Sequence, residues 1–81
     1  MNSVLSVIGV VYISNIKNIV AKNSGKRFNI VEFQTRGTTY ETFVNDDLLD
    51  VIVKDSDMQF SGDLVVSNRE LKFSNVMFEV I

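Results

Sequence analysis

Residues 22–40 read KNSGKRFNIVEFQTRGTTY, and this stretch decides how the rest of the chain is interpreted. Gly25 and Gly37 lie in two polar turns, and each turn is followed by a segment rich in β-branched and aromatic residues. Glycine accepts the positive φ of tight hairpins, and such segments are typical of β-strands. The first segment begins with Arg27 beside Phe28. Cations beside aromatic rings suit a groove that holds a charged backbone while its bases stack on the rings.

The composition describes a small chain that lacks the commonest reactive side chains. It has 81 residues and neither cysteine nor histidine. A domain of this size buries only roughly 60% of its unfolded surface, so a second subunit would add stability. Without cysteine no disulfide or thiolate metal site can form, and without histidine the commonest general base and metal ligand is missing. We expect one domain over residues 1–81, with no catalytic residue, no metal and no cofactor.

Valine, isoleucine, phenylalanine, threonine and tyrosine together make up 32 of the 81 residues and proline is absent, which predicts an all-β chain of five strands. Gly9 is expected where the long first strand bends or another backbone comes close. A bulge is expected within Ser14–Ala21, because Ile16 and Ile19 fall out of simple alternation. A second bulge or a strong coil is expected inside strand 2, because its apolar residues change face between Ile30 and Val31. The predicted strands are Leu5–Ile13 with the extension Ser14–Ala21, Lys26–Thr35, Thr39–Val44, Met58–Val66 and Arg69–Ile81.

A short helix is expected between strands 3 and 4. Asn45 is a suitable N-cap for a helix over Asp46–Val53, because its side chain can accept a hydrogen bond from a free N–H. The helix dipole favours the anions Asp46 and Asp47 in the first turn. A short strand over Leu49–Val53 is the alternative. Five strands with this helix describe a five-stranded Greek-key barrel of the OB type, and an SH3-like barrel is the competing fold.

The amino-terminal residues 1–12 are apolar but lack a positively charged leader, so a strand is expected there rather than a signal peptide. No segment reaches the roughly 18 apolar residues that a membrane helix requires. The sequence therefore predicts a soluble, cytoplasmic protein without a membrane partner.

The charges divide the chain into a basic and an acidic half. Residues 1–40 carry five basic residues and one glutamate, a net charge of +4, whereas residues 41–81 carry three basic and nine acidic residues, a net charge of −6. Such asymmetry predicts one basic and one acidic surface, although two ordinary solvated faces would give the same counts.

The candidate binding residues are of two kinds: cations that could contact phosphates, and aromatic rings that could stack on bases. Arg69 is included because the loop between strands 4 and 5 flanks the binding face of OB domains. Phe33, Phe43, Phe60, Phe73 and Phe78 are expected in the core. The predicted nucleic-acid-binding residues are Tyr12, Lys17, Lys22, Lys26, Arg27, Phe28, Arg36, Tyr40 and Arg69.

The acidic residues between Asp46 and Asp57 do not have the spacing of a twelve-residue calcium loop, and the closing glutamate is missing. Catalysis by paired carboxylates needs a cleft that so small a barrel hardly offers. A solvated acidic face is the favoured interpretation.

Three stretches resemble phage and plasmid single-stranded DNA-binding proteins with an OB fold. They are Val7-Ile8-Gly9-Val10-Val11, Gly25-Lys26-Arg27-Phe28 and Phe60-Ser61-Gly62-Asp63-Leu64. In filamentous-phage members a Gly-Lys-x-aromatic element leads into a binding strand, so the resemblance implies that Phe28 stacks on bases. It also implies cooperative, mostly sequence-independent coating of single strands by a homodimer or higher homo-oligomer. The sequence ends in Phe78-Glu79-Val80-Ile81 inside an expected strand, so we expect a departure from cellular bacterial members, which carry a flexible tail with an acidic tip.

The sequence thus predicts a protein that coats single-stranded DNA during phage or plasmid replication or recombination, in the host cytoplasm if phage-encoded. RNA instead of DNA stays open. The alternative is a protein-interaction module, of OB or SH3-like fold, that acts as a virion or assembly component. Its subunit interface would contain Met77, Phe78 and Ile81.

Overall fold

The structure is a computed structural model that describes residues 3–81, apart from the side chains of residues 3, 4 and 67. Its five strands form one antiparallel sheet with a single helix of four residues. The all-β prediction is confirmed. The elements are β1 (Ser3–Val20), β2 (Arg27–Thr35), β3 (Thr38–Val44), α1 (Asp46–Leu49), β4 (Asp57–Ser67) and β5 (Glu70–Val80).

The strand order is β3-β2-β1-β4-β5, so the long β1 lies at the centre of the sheet. Its residues 3–12 pair with β4 and its residues 12–20 pair with β2. An extra residue in β1 at Ser14 shifts the register between Ile13 and Asn15, which confirms the bulge expected there. Because β1 changes partners near this bulge, it joins two half-sheets.

The outermost strands β3 and β5 are not paired with each other in the described part of the chain. They nevertheless approach one another, and the rings of Tyr40 and Phe73 lie 5.9 Å apart between centroids at 89°. The sheet is therefore strongly curved but remains open between its edge strands.

The core is centred on Phe33, whose side chain is only 2% exposed. Its ring lies 4.8 Å from Phe60 and 5.7 Å from both Phe73 and Phe78, measured between centroids. These offset and edge-to-face contacts are the geometries that aromatic rings prefer. The predicted core positions of Phe33, Phe60 and Phe78 are confirmed, and Phe73 is partly buried against the same cluster.

The bulge predicted inside β2 is wrong. The pairing of β2 with β3 is continuous from Asn29 to Thr35, and the extra residue lies in β1 instead. Phe28 and Ile30 point away from the core, whereas Val31 and Phe33 point into it. The strand therefore carries apolar residues on both faces. In the sequence, this pattern looks the same as a bulge that moves the apolar residues from one face to the other.

Helix α1 is capped by Asn45, whose Oδ1 accepts a hydrogen bond from the Leu48 N–H at 2.8 Å. The predicted cap is confirmed, but the helix ends at Leu49 rather than at Val53. Ile52, beyond this end, is buried and belongs to the core. No helix in residues 3–81 has the length and apolar character needed to cross a membrane.

Replacing the cap residue with Asn45→Ala should lower the free energy of unfolding by about 1 kcal/mol, because the Leu48 N–H loses its acceptor. Urea unfolding followed by circular dichroism measures this change. Asn45→Asp, which retains an acceptor, is the matched control and should stay close to wild type. An unchanged midpoint for Asn45→Ala would show that the cap does not support α1.

Candidate nucleic-acid interface

The β1–β2–β3 half-sheet has a face that points away from the core, which we call the outer face. Alternation along the paired strands places every second residue there. Its members are partly or fully exposed, in contrast to the buried Val31, Phe33 and Thr42 on the opposite side. The outer face consists of Tyr12, Asn15, Lys17, Ile19, Phe28, Ile30, Glu32, Gln34, Thr39, Glu41 and Phe43.

Two phenylalanines of the outer face form an exposed ring pair. Phe28 is 40% and Phe43 66% exposed, and their centroids lie 5.9 Å apart with an interplanar angle of 64°. Ile19, which pairs with Phe28 across the strands, is also exposed. The core position predicted for Phe43 is therefore wrong. Phe43 shares its face with Glu41, and this carboxylate is the sequence signal that marks a solvent-facing side.

A basic loop adjoins the ring pair. The loop between β1 and β2 is closed by hydrogen bonds from the Ala21 N–H to the Lys26 carbonyl (2.8 Å) and from the Gly25 N–H to the Ala21 carbonyl (2.9 Å). Gly25 has φ +68°, a backbone conformation that glycine adopts without strain. The loop and the first residue of β2 present three exposed cations, Lys22, Lys26 and Arg27.

These three cations are not neutralised locally. Within residues 3–81, no carboxylate lies within 4.0 Å of the charged groups of Lys22, Lys26 or Arg27. They precede Phe28 in the chain and lie at the same end of the β1–β2 hairpin. The structure thus brings together Phe28 and three of the predicted cations, and it adds Phe43.

Lys17 is electrostatically different. Its Nζ lies 2.6 Å from Glu32 Oε1 and 3.9 Å from Glu41 Oε2, all on the outer face. The hydrogen bond to Glu32 and the negative charges of Glu32 and Glu41 raise the pKa of Lys17, against a smaller opposing effect of desolvation. Its charge is therefore largely compensated, and Lys17 contributes less to phosphate attraction than its sequence position suggests.

Tyr12 lies on the outer face but far from the ring pair. It pairs with Gln34, six residues along β2 from Phe28, which corresponds to about 20 Å. Its hydroxyl donates a hydrogen bond to Asp55 Oδ1 at 3.2 Å. Partial burial, this hydrogen bond and the negative charges of Asp55 and Asp57 raise the pKa of Tyr12. Two carboxylates beside the ring disfavour a phosphate backbone at this position.

In a Tyr40→Phe background, where Tyr12 is the remaining tyrosine, we expect tyrosinate to form above about pH 10. Because the folded state holds this proton more tightly than the unfolded state, the associated stability is complete below that pH and is lost as pH rises through the folded pKa. Adding Asp55→Asn should lower the midpoint measured by ultraviolet absorbance. A midpoint that does not respond to Asp55→Asn would mean that the hydrogen bond is not formed.

Tyr40 points to the opposite, concave side of the sheet. Its ring stacks on Phe33 at 5.8 Å and meets Phe73 edge-on, although it is still 39% exposed. It borders a cavity of about 390 Å³, which we call the inner cavity. Tyr40 is thus separated from the ring pair by the sheet. The cavity is lined mainly by Val7, Gly9, Val11, Phe33, Phe60, Leu64, Leu71 and Phe73.

The two remaining predicted cations lie in other turns. Arg36 follows the last residue of β2, roughly 25 Å along the strand from Phe28. Arg69 lies between β4 and β5. Both have positive φ, +51° for Arg36 and +65° for Arg69. The structure therefore divides the predicted site residues among the outer face, the concave side and separate turns.

The described residues contain no cluster of three or more acidic, cysteine or histidine side chains that could hold a metal ion. Comparison with known protein families, curated proteins and solved structures finds no match to this chain.

Proposed function

We propose that this protein binds single-stranded DNA, without strong sequence preference, through the ring pair Phe28–Phe43 and the basic loop beside it. The observation that carries the proposal is the exposure of two phenylalanines on a solvent-facing sheet surface. An exposed aromatic surface lowers the solubility of a monomer, so it suggests that a ligand covers it. Bases stack on aromatic side chains with about 1–3 kcal/mol per base, whatever their sequence.

The distribution of charge also supports DNA binding at the ring pair. Lys22, Lys26 and Arg27 lie at the end of the hairpin that carries Phe28, and they have no acidic partner among the described residues. The acidic residues Asp46, Asp47 and Asp50 lie in or after α1. Asp46 reaches the hairpin on the concave side, where its Oδ1 accepts a hydrogen bond from Asn29 Nδ2 at 2.8 Å. A single strand would pass with its phosphates along the basic loop and its bases toward the ring pair.

The proposal includes an OB-type barrel. If β3 paired with β5, the order β3-β2-β1-β4-β5 would close into a ring of five strands, and the contact of Tyr40 with Phe73 brings these edges near each other. OB domains bind oligonucleotides on strands 2 and 3 and the loops after strands 1 and 4. The ring pair and the basic loop occupy the corresponding positions. Coating of single strands in phage or plasmid replication or recombination, by a homo-oligomer in the host cytoplasm, completes the proposal.

Titration of a labelled oligothymidine at several salt concentrations tests binding. We expect affinity at low salt that falls as salt rises, with a slope of about −0.7 for each phosphate neutralised. Oligouridine in a parallel titration distinguishes a preference for DNA from one for RNA. Absence of binding to either oligonucleotide at low salt would overturn the proposal.

The double variant Lys26→Ala with Arg27→Ala should reduce the steepness of the salt dependence by about 1.4, because two phosphate contacts are lost. The measurement is the slope of log affinity against log salt. Lys72→Ala is the matched control, since Lys72 lies on β5 beside Glu70 (3.6 Å) and away from the loop. Equal slopes for the double variant and wild type would show that the basic loop does not contact phosphates.

A protein-interaction module is the second candidate. The exposed Met77, Val80 and Ile81 at the edge strand β5 favour it. Phe78, which was expected in the same interface, is 1% exposed and belongs to the core instead. Without a response to any oligonucleotide, this candidate becomes the better explanation.

A further inference from the structure

The first half of β1 has one side without a strand partner. β4 pairs with residues 3–12 of β1, whereas β2 joins only from Tyr12 onward. In an antiparallel pair, every second residue points its N–H and C=O away from its partner. Within the described residues, no strand receives these groups between Ser3 and Val11. We call this side of residues 3–11 the free β1 edge.

The free β1 edge lacks the features that prevent an exposed sheet edge from pairing with another strand. Natural proteins protect exposed edges with charges, proline, bulges or short strands. No residue from Ser3 to Ile16 is charged, and the chain has no proline. The edge strand β5, by comparison, carries Glu70, Lys72 and Glu79 and is interrupted by an irregularity where Asn75 has φ +53°.

Both faces beside this edge carry accessible apolar side chains, and the outward face also carries Ser6, whose hydroxyl donates a hydrogen bond to Asp63 Oδ1 at 3.2 Å. On the outward side, Ile8 is 71% and Val10 58% exposed. On the concave side, Leu5 is exposed and Val7, which lines the inner cavity, is partly buried, whereas Val11 is buried in the core. A strand added here would gain backbone hydrogen bonds and would cover apolar side chains on both faces.

We propose that the free β1 edge is the contact between two copies of this chain, which pair antiparallel through residues 3–11 about a twofold axis. The occupant must be extended, uncharged and apolar on both faces. β1 has these properties itself, and a twofold axis brings the same edge to both sides of the contact. Neither paired segment would bring a charged side chain into the contact, because residues 3–11 carry none.

Such pairing would also join the two outer faces. A twofold axis perpendicular to the sheet leaves the outward side of both copies facing the same way, with Ile8 and Val10 of each copy in the middle. The two ring pairs would then lie on one continuous sheet, so one DNA strand could contact both. The contact itself does not depend on DNA binding and can be tested without it.

Sedimentation equilibrium of the whole chain tests the contact. We expect wild type to dimerise and Ile8→Lys to dissociate at least about tenfold more readily, because two lysines would approach each other at the free edge. Val80→Lys is the matched control, since it adds the same charge at an exposed apolar position on β5. Circular dichroism confirms that each variant is folded.

Hydrogen exchange of the wild type provides a second readout that needs no variant. Alternate amides of residues 3–11 should become protected as protein concentration rises. A chain that stays monomeric overturns the proposal, and so does a dimer whose β1 amides exchange freely. Dissociation by Val80→Lys but not by Ile8→Lys would place the contact on β5 and overturn it as well. Protection of these amides only after a synthetic apolar peptide is added would identify a peptide, rather than a second copy, as the occupant.

Discussion

Phe33→Ala is expected to lower the free energy of unfolding by about 3–5 kcal/mol, the range observed when large aromatic side chains are removed from protein cores. Phe33 contacts the rings of Tyr40, Phe60, Phe73 and Phe78, which come from three different strands. A chain of this length has a total stability of only about 4–12 kcal/mol, so the substitution should remove roughly a quarter or more of it, and near the lower limit the variant would be unfolded at room temperature. Urea unfolding followed by circular dichroism measures the loss.

Phe43→Ala is the matched control, because it removes the same side chain from an exposed position. Its effect should be within about 1 kcal/mol, since surface substitutions remove little buried area. If Phe43→Ala destabilised the protein as much as Phe33→Ala, Phe43 would be a core residue and the outer face would not be as described.

The double variant Phe28→Ala with Phe43→Ala is expected to bind oligothymidine about tenfold more weakly or worse. Each stacked base contributes on the order of 1–3 kcal/mol, and both rings of the pair would be lost. Fluorescence anisotropy at low salt measures the affinity, and circular dichroism shows that the variant is folded.

Tyr12→Ala is the matched control for this loss. Tyr12 is also an exposed ring on the outer face, but its hydroxyl donates a hydrogen bond to Asp55 and it lies beside the negative charge of Asp57. We expect its removal to change the affinity little. A larger loss of affinity for Tyr12→Ala than for the double variant would show that DNA binds at the other end of the sheet.

Local sequence signals predicted much of the fold. Asn45 was identifiable as a cap, and the positions of Ile16 and Ile19 outside simple alternation indicated the bulge in β1. The misplaced bulge in β2 has a physical cause. Phe28 and Ile30 are apolar although they face outward, and periodicity alone cannot distinguish an exposed apolar residue from one that has changed face.

The site was less predictable because it depends on pairing between distant strands. The neutralisation of Lys17 requires the register that brings Glu32 and Glu41 beside it. The carboxylate beside Tyr12 comes from Asp55, 43 residues away in the chain. Phe43 could have been found, because alternation already placed it on the same side as Thr39 and Glu41.

The position of Tyr40 also could not be predicted from the sequence alone. Alternation grouped it with Thr42 and Val44, but only the buried positions of these two residues show that their side is the core side. A tyrosine with an exposed edge can still belong to the concave face, as its stacking on Phe33 shows.

The most direct test of the DNA-binding proposal is a nuclear magnetic resonance titration of the isotopically labelled protein with oligothymidine, following each backbone amide. We expect the largest shift changes at Ile19, Phe43 and residues 22–30, around the ring pair and the basic loop. Changes confined to residues that line the inner cavity or to β5, or no changes at all, would contradict it.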